Sequence, residues 1–401
     1  MKKHVSALVS LAIALLVLAF SQPSFAQTID FESYTLGVIN GQDGWSSLGA
    51  VGSGCAVYDH KVDSSFGTAT FGLRSLRISN AVTSGCFGDQ TFAKPLANAV
   101  GEADSTDGTF SRGILQNHFE MKFDLASKVP EAQQPGLFMS VSPDRGDGSR
   151  MSYLGFEDVA AGIHIIFYDV QGTSNPANFT LTDLGTYSRS VPHRIKLTLD
   201  TLNGPSNDVV NVWIDAVLRH TGRSWENYYR YDSEASAEQS PRIVKTVLFR
   251  TGGTAVPGTS GNGYLVDNLS ESSSIGVVYT CTGFEPPMDK PVNVRKNNRV
   301  LPLKMVCTNS SGTVLGPTAI AAPIVQVTKT GGADPTVPVD TYLSAGQGTD
   351  GNEFVFDPVS LKWNFNLQTK NFTGNGTYTI TAVGGGSDVI VGAPTATFVV
   401  Q

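Results

Sequence analysis

Charge is scarce in this chain of 401 residues: only 16% are Asp, Glu, Lys or Arg, and the formal net charge is −7. A chain without a basic excess releases few counterions from phosphate, so nucleic acid is not an expected partner. Helix signals are missing too. No amphipathic stretch of useful length occurs, and 42 Gly and 20 Pro, beside abundant Ser, Thr and Val, stand where a helical protein would carry Ala, Glu, Lys and Leu. Cysteine is limited to four residues, without a Cys-x-x-Cys or a His pair, which argues against a structural zinc site. The apolar run from Val9 to Phe20 is too short to span a bilayer, and no membrane span is expected elsewhere.

That short run has a meaning of its own. Lys2-Lys3 precede it, and Ser24-Phe25-Ala26 follow it ahead of Gln27, in the order of basic region, apolar core and small residues that a secretory leader shows. The expected leader is 1–26, and the mature chain is expected to be secreted, either extracellular or periplasmic. Residues 27–401 then suffice for about two domains of ~100–200 residues each. The formal charge becomes −9 once Lys2 and Lys3 are gone. Residues 280–401 hold eight basic and eight acidic side chains, so the excess lies in the first part of the chain.

The cysteines form two near-neighbour pairs, and in an exported chain an even count reads as disulfides. Four cysteines allow three connectivities. Pairing Cys55 with Cys86 and Cys281 with Cys307 gives one bridge per domain, each closing roughly thirty residues and contributing about 3 kcal/mol.

Period-two alternation dominates between turn signals. In His118–Asp124, Phe119, Met121 and Phe123 face one way and His118, Glu120, Lys122 and Asp124 the other. Similar runs are 136–141, 162–168, 194–199, 209–215 and 244–250, separated by turns such as 143–148 and 203–208. The expected fold is all-β, with two packed antiparallel sheets in the first domain, of a size that suits a jelly roll. Gly263–Leu269 reads as its last strand, and Ser270–Ser274 as the start of a polar linker. The expected organisation is a jelly-roll domain over 27–272, a linker over 273–280 and a smaller module over 281–401.

Ile29-Asp30-Phe31-Glu32, Gly41-Gln42-Asp43-Gly44-Trp45 and Gly263–Leu269 resemble the concanavalin A-like, laminin G-type jelly rolls of secreted bacterial proteins. The resemblance covers 27–272. It implies first and last strands side by side, with Glu32 near Asp267, and a functional range that includes lectins, carbohydrate-binding modules and glycan-cleaving enzymes. Val294–Met305 is similar to the signature of the PxKF domain, an immunoglobulin-like module, with Met305 where that family carries Phe. The alternating segments 362–367 and 376–381 are expected to pair as strands of this module, whose implied role is spacing or docking.

Catalytic patterns are weak. Retaining glycosidases need two carboxylates about 5 Å apart, and neither Glu120 with Asp124 nor Glu157-Asp158 has the spacing of the jelly-roll glucanases. His164 and Tyr168 match part of a polysaccharide-lyase pattern that lacks its Gln. Thr259–Gly263 is a turn and not a nucleophile elbow, and Arg145-Gly146-Asp147 reads as a polar turn. Calcium, which favours loop carboxylates, is the expected cofactor in a structural role, with Asp30, Glu32 and Asp267 as its candidate ligands and the Asp144/Asp147 turn as another option. Sugar rings need aromatic platforms beside hydrogen-bonding groups. Two segments supply them: Trp225, Glu226, Tyr228 and Tyr229 in 223–231, and Arg150 and Tyr153 in 147–153. The expected function is binding of an extracellular polysaccharide or cell-surface glycan without catalysis. The alternatives are a hydrolase or lyase on the same sheet, and a structural matrix or envelope protein.

Overall fold

The structure, a computed structural model, describes residues 25–48, 58–67, 71–83, 89–96, 117–146, 148–202, 204–234, 244–251, 254–294, 299–329, 351–370, 372 and 374–401. The expected leader up to residue 24, the pair Cys55 and Cys86, and Asp147 lie outside the described residues.

Two antiparallel sheets face each other in the first part of the chain. The nine-stranded sheet runs β14 (Val217–Gly222), β13 (Val209–Ile214), β12 (His193–Asp200), β7 (His118–Ser127), β16 (Tyr264–Ser274), β5 (Arg74–Thr83), β4 (Tyr58–Ser64) and β2 (Gly37–Val38), with β1 (Phe25–Ile29) also paired to β16. Facing it, the seven-stranded sheet runs β11 (Asn178–Tyr187), β10 (Gly162–Gln171), β9 (Tyr153–Val159), β8 (Phe138–Asp144), β15 (Thr246–Arg250), β6 (Gln90–Phe92) and β3 (Ser46–Leu48). Sequentially distant strands are neighbours in both sheets, as in the expected jelly roll. A single short α-helix, α1 (Glu226–Tyr231), follows β14 among the described residues.

Alternation explains the core. Phe119, Met121 and Phe123 of β7 point inward with Leu197, Val212 and Val266, and meet Met139, Phe156, Ile165, Phe167 and Phe249 from the other sheet. Each large apolar side chain buried in this way contributes roughly 1.5–3 kcal/mol. Trp45 is fully buried against Phe31 and Phe249, and its indole donates to the Tyr34 hydroxyl.

A second, smaller sandwich has its own core. Its sheets are β20 (Cys307–Thr308), β17 (Val278–Cys281) and β25 (Val389–Val391); β18 (Val292–Val294), β26 (Thr395–Val400), β24 (Gly376–Val383) and β21 (Ile324–Lys329); and β19 (Val300–Met305), β23 (Lys362–Gln368) and β22 (Val355–Asp357). Trp363, Phe365, Tyr378 and Phe398 fill it, with Met305 fully buried. Cys281 and Cys307 are register partners on β17 and β20 and are joined by a disulfide, their Cα atoms 4.0 Å apart.

Two expectations need correction. Residues 270–274 do not leave the sheet: they complete β16, paired with β1 and β7, and Glu271 and Ser273 turn inward while the intervening serines do not. Only 275–277 separate β16 from β17, in place of a linker over 273–280. Segments 362–367 and 376–381 are both strands but are not partners, since β23 lies between β19 and β22 whereas β24 lies between β21 and β26.

Candidate functional site

With Met139, Val141, Leu154, Phe156, Ile165 and Phe167 committed to the core, period two sends their neighbours to the opposite face of the seven-stranded sheet. Register places Gln90, Arg250, Ser140, Gly155, Ile166 and Asp183 in one row across six strands. Beside it, Tyr153 pairs with Tyr168 and Tyr168 with Leu181. The row is low in its middle, at Ser140 and Gly155. A Cβ on Gly155 would stand 2.8 Å from the Ile166 side chain, so only glycine leaves this floor open.

Trp225 comes to the same face from outside the sheet. Its backbone amide donates to the Met151 carbonyl at 2.8 Å and its indole Nε1 to the Tyr168 carbonyl at 2.9 Å, which fixes the ring without a rotamer search. The ring lies parallel to Tyr153, with an interplanar angle of 1° and 6.0 Å between centroids. Phe138 stacks on the other side of Tyr153 at 6.4 Å and 23°. Tyr168 meets Tyr153 edge-on at 5.3 Å, and Phe179 meets Trp225 edge-on at 4.9 Å. Tyr228 closes the cluster, 6.0 Å from Trp225. The Arg150 guanidinium lies 6.0 Å from the Tyr153 centroid and 5.9 Å from that of Trp225.

The two segments singled out in the sequence therefore meet, but not all of their residues are within reach of a ligand. Glu226 is 2% exposed: its carboxylate accepts the amides of Asn207 and Asp208 and pairs with Arg230 at 3.1 Å. Tyr229 belongs to the core cluster, and its hydroxyl donates to the Arg150 carbonyl at 2.9 Å. Arg150 is 4% exposed, behind the rings. Trp225, Tyr228 and Tyr153 remain partly exposed. Outermost are two residues that the sequence reading missed, Phe179 at 40% and Leu181 at 49% exposure. Their alternation in Asn178–Asp183 was visible; their meeting with Trp225 was not. Phe138 and Arg250 were missed for the same reason.

Burial pushes the Tyr153 phenol up, against the opposing pull of Ser140 and Arg150, so the phenol keeps its proton at neutral pH. Burial and the nearby Arg150 depress the Arg250 guanidinium below its usual range. His164 lies on this face between Glu157 at 3.2 Å and Asp183 at 3.1 Å. Both ring nitrogens lie within hydrogen-bond reach of a carboxylate, which holds the imidazole between β9 and β11. Glu157 and Asp158 point to opposite faces, Asp158 being buried against Arg189 at 2.8 Å.

The expected calcium ligands are only partly assembled. Glu32 and Asp267 do approach each other, where both meet the backbone at 72–74. Glu32 accepts the Arg74 amide at 3.0 Å, and Asp267 accepts the amides of Gly72 at 3.3 Å and Asn268 at 2.7 Å. Asp30 is exposed and accepts the Glu32 amide at 3.2 Å. Burial, then the charges of Glu32 and Asp124, raises the Asp267 carboxyl to about 7. Asp144 accepts the amides of Gly146 at 2.6 Å and Gly148 at 3.1 Å. Among the described residues no group of three or more His, Cys, Asp or Glu is arranged to hold a metal ion. Each of these carboxylates accepts backbone amides.

Comparison with known proteins gives no matching family model and no matching curated protein. Solved structures do show likenesses. The CBM2 module of the Lactobacillus casei BL23 phage J-1 evolved Dit is 9% identical over 63% of this chain and 98% of its own, with a TM-score of 0.32. The catalytic domain of the glycoside hydrolase family 131 protein from Coprinopsis cinerea is 11% identical over 62% and 95%, at 0.28. An alginate lyase from Pseudomonas aeruginosa is 9% identical over 53% and 84%, at 0.26.

Proposed function

We propose that this is an exported glycan-binding protein whose first sandwich holds sugar against the aromatic cluster on its seven-stranded sheet, without catalysis. The observation that carries it is the parallel Tyr153–Trp225 pair, pinned by backbone contacts and extended outward by Phe179. Pyranose faces are apolar and their rims carry hydroxyls, so a fixed ring beside tyrosine hydroxyls suits both. The second sandwich, with its resemblance to the PxKF module, is read as a spacer or docking unit. The disulfide is compatible with an extracellular setting.

Retention on an array of plant, algal and microbial polysaccharides tests this, with released sugar assayed in the same wells. Saturable retention is expected, without product. Trp225→Ala and Tyr153→Ala are each expected to weaken it by roughly tenfold, the loss of one stacking platform. Retention unchanged in both variants would overturn the placement. Released unsaturated or reducing ends would turn the conclusion to an enzyme, and a blank array to a structural protein.

A further inference from the structure

The nine-stranded sheet also has a second face, and it is polar in rows. Register sets Lys122 of β7 directly opposite Lys196 of β12, and Lys196 opposite Trp213 of β13. The adjacent row holds Glu120, Thr198, Asn211 and Thr221. Two ammonium groups at directly opposed positions repel, and sheets ordinarily avoid the pair. Here one carboxylate serves both: Glu120 Oε1 lies 2.5 Å from Lys122 Nζ and Oε2 lies 2.6 Å from Lys196 Nζ. The trio keeps one net positive charge. Lys196 is further fixed over the Trp213 ring, 4.6 Å from its centroid.

These side chains are not on an open surface. They form the floor of a cleft of about 900 Å³ roofed by Gln326, Asn352 and Thr381 of the second sandwich, a volume in the range of ligand sites. The lysine side chains remain 43% and 31% exposed inside it. The lining also holds Arg194 and two further carboxylates, Asp200 engaged by His118 and Asp388 by the amides of Val277 and Ala321. The lysine pair is thus the part of the wall that suits an anion, and with the tryptophan and the amide and hydroxyl groups beside it, it matches a sugar chain that carries anionic groups.

We propose that this cleft binds an acidic polysaccharide, with a carboxylate or sulfate seated between Lys122 and Lys196 and the sugar hydroxyls met by Thr221, Asn352 and Thr381. The inference rests on the glycan-binding reading of the protein but uses the opposite sheet, so the two can fail separately.

The test uses the full chain and three probes: polygalacturonate, dextran sulfate and neutral dextran, by titration at low and moderate salt. Saturable binding of one or both acidic probes is expected, weakened by salt, without binding of neutral dextran in the cleft. Lys122→Gln and Lys196→Gln, made singly, each leave one lysine on Glu120. Each is expected to weaken acidic binding by roughly tenfold, as loss of one charge-assisted contact would, without lowering the melting temperature, because the like-charge opposition is relieved. The titrations are repeated in a Trp225→Ala background, where the aromatic cluster on the other sheet is disabled and the lysine effects report on the cleft alone. Polygalacturonate alone would assign a uronate, dextran sulfate alone a sulfate ester, and both a general anion seat. Absence of acidic binding, or binding indifferent to both lysine substitutions, would overturn the proposal, whatever happens at Trp225.

Discussion

Glu271 shows how much a single residue's setting depends on its neighbours. It is fully buried between the sheets, and its carboxyl is held by the side-chain amide of Gln27, its register partner on β1, with help from the Val247 amide. Burial outweighs both contacts and pushes the carboxyl up from 4.5 to about 8. Between those values the folded chain keeps a proton that the unfolded chain releases. Stability is therefore full below about pH 4.5, declines as pH rises and levels off above about 8. Denaturation midpoints at pH 5 and pH 9 are expected to differ more in the native protein than in Glu271→Gln, which has no proton to lose. Parallel profiles would mean that water reaches the carboxyl in the folded state. In the sequence this residue sits among serines and reads as linker; only pairing with β1 turns it inward.

Among the elements, the β9–β10 hairpin carries the site, because it sets Tyr153, Gly155 and Tyr168 on one face. Its second strand opens with Gly162 at φ +147°, where an added Cβ would come within 2.1 Å of the Tyr187 carbonyl on β11. Gly162→Ala is expected to cost roughly 1–3 kcal/mol by denaturant titration, through strain and displacement of the edge strand. Gly172→Ala, at φ +68° with open space around it, carries only the backbone penalty and is expected to lose less. Equal losses would show that the β10–β11 contact is not tight. Alternation identified β7, β8, β10, β12, β13 and β15 within a few residues of their ends, since period two is a local property. It could not identify partners. The segments that became β23 and β24 have equally good alternation and belong to different sheets.

At the scale of the molecule, the described residues form two main apolar clusters, one per sandwich, joined through 275–277. The Cys281–Cys307 disulfide, with 26 residues of separation, lies wholly in the second. Closing such a loop removes unfolded-chain entropy equivalent to about 3 kcal/mol. Replacing both cysteines by Ala is expected to lower a calorimetric transition assigned to the second sandwich and to leave the first in place. A single transition that moves as a whole would show that the two cores unfold together. The cleft between the sandwiches belongs to this scale as well. The sequence reading placed His118, Glu120, Lys122 and Asp124 on one face of a strand, but what faces them is set by the short join.

The sequence by itself determined the all-β class, several of the strands, the inward set of β7 and the concentration of aromatic residues and arginines in two short segments, because composition and period two are written residue by residue. It also brought forward the cysteine partners within the second sandwich, which are close in sequence. Tertiary structure alone decided that Tyr153 and Trp225 lie parallel, that Glu226 and Tyr229 are enclosed, that the carboxylates near Asp267 serve backbone amides and that Lys122 stands opposite Lys196. Each of these depends on register between strands far apart in the chain, and a one-residue slip would turn every such side chain to the other face.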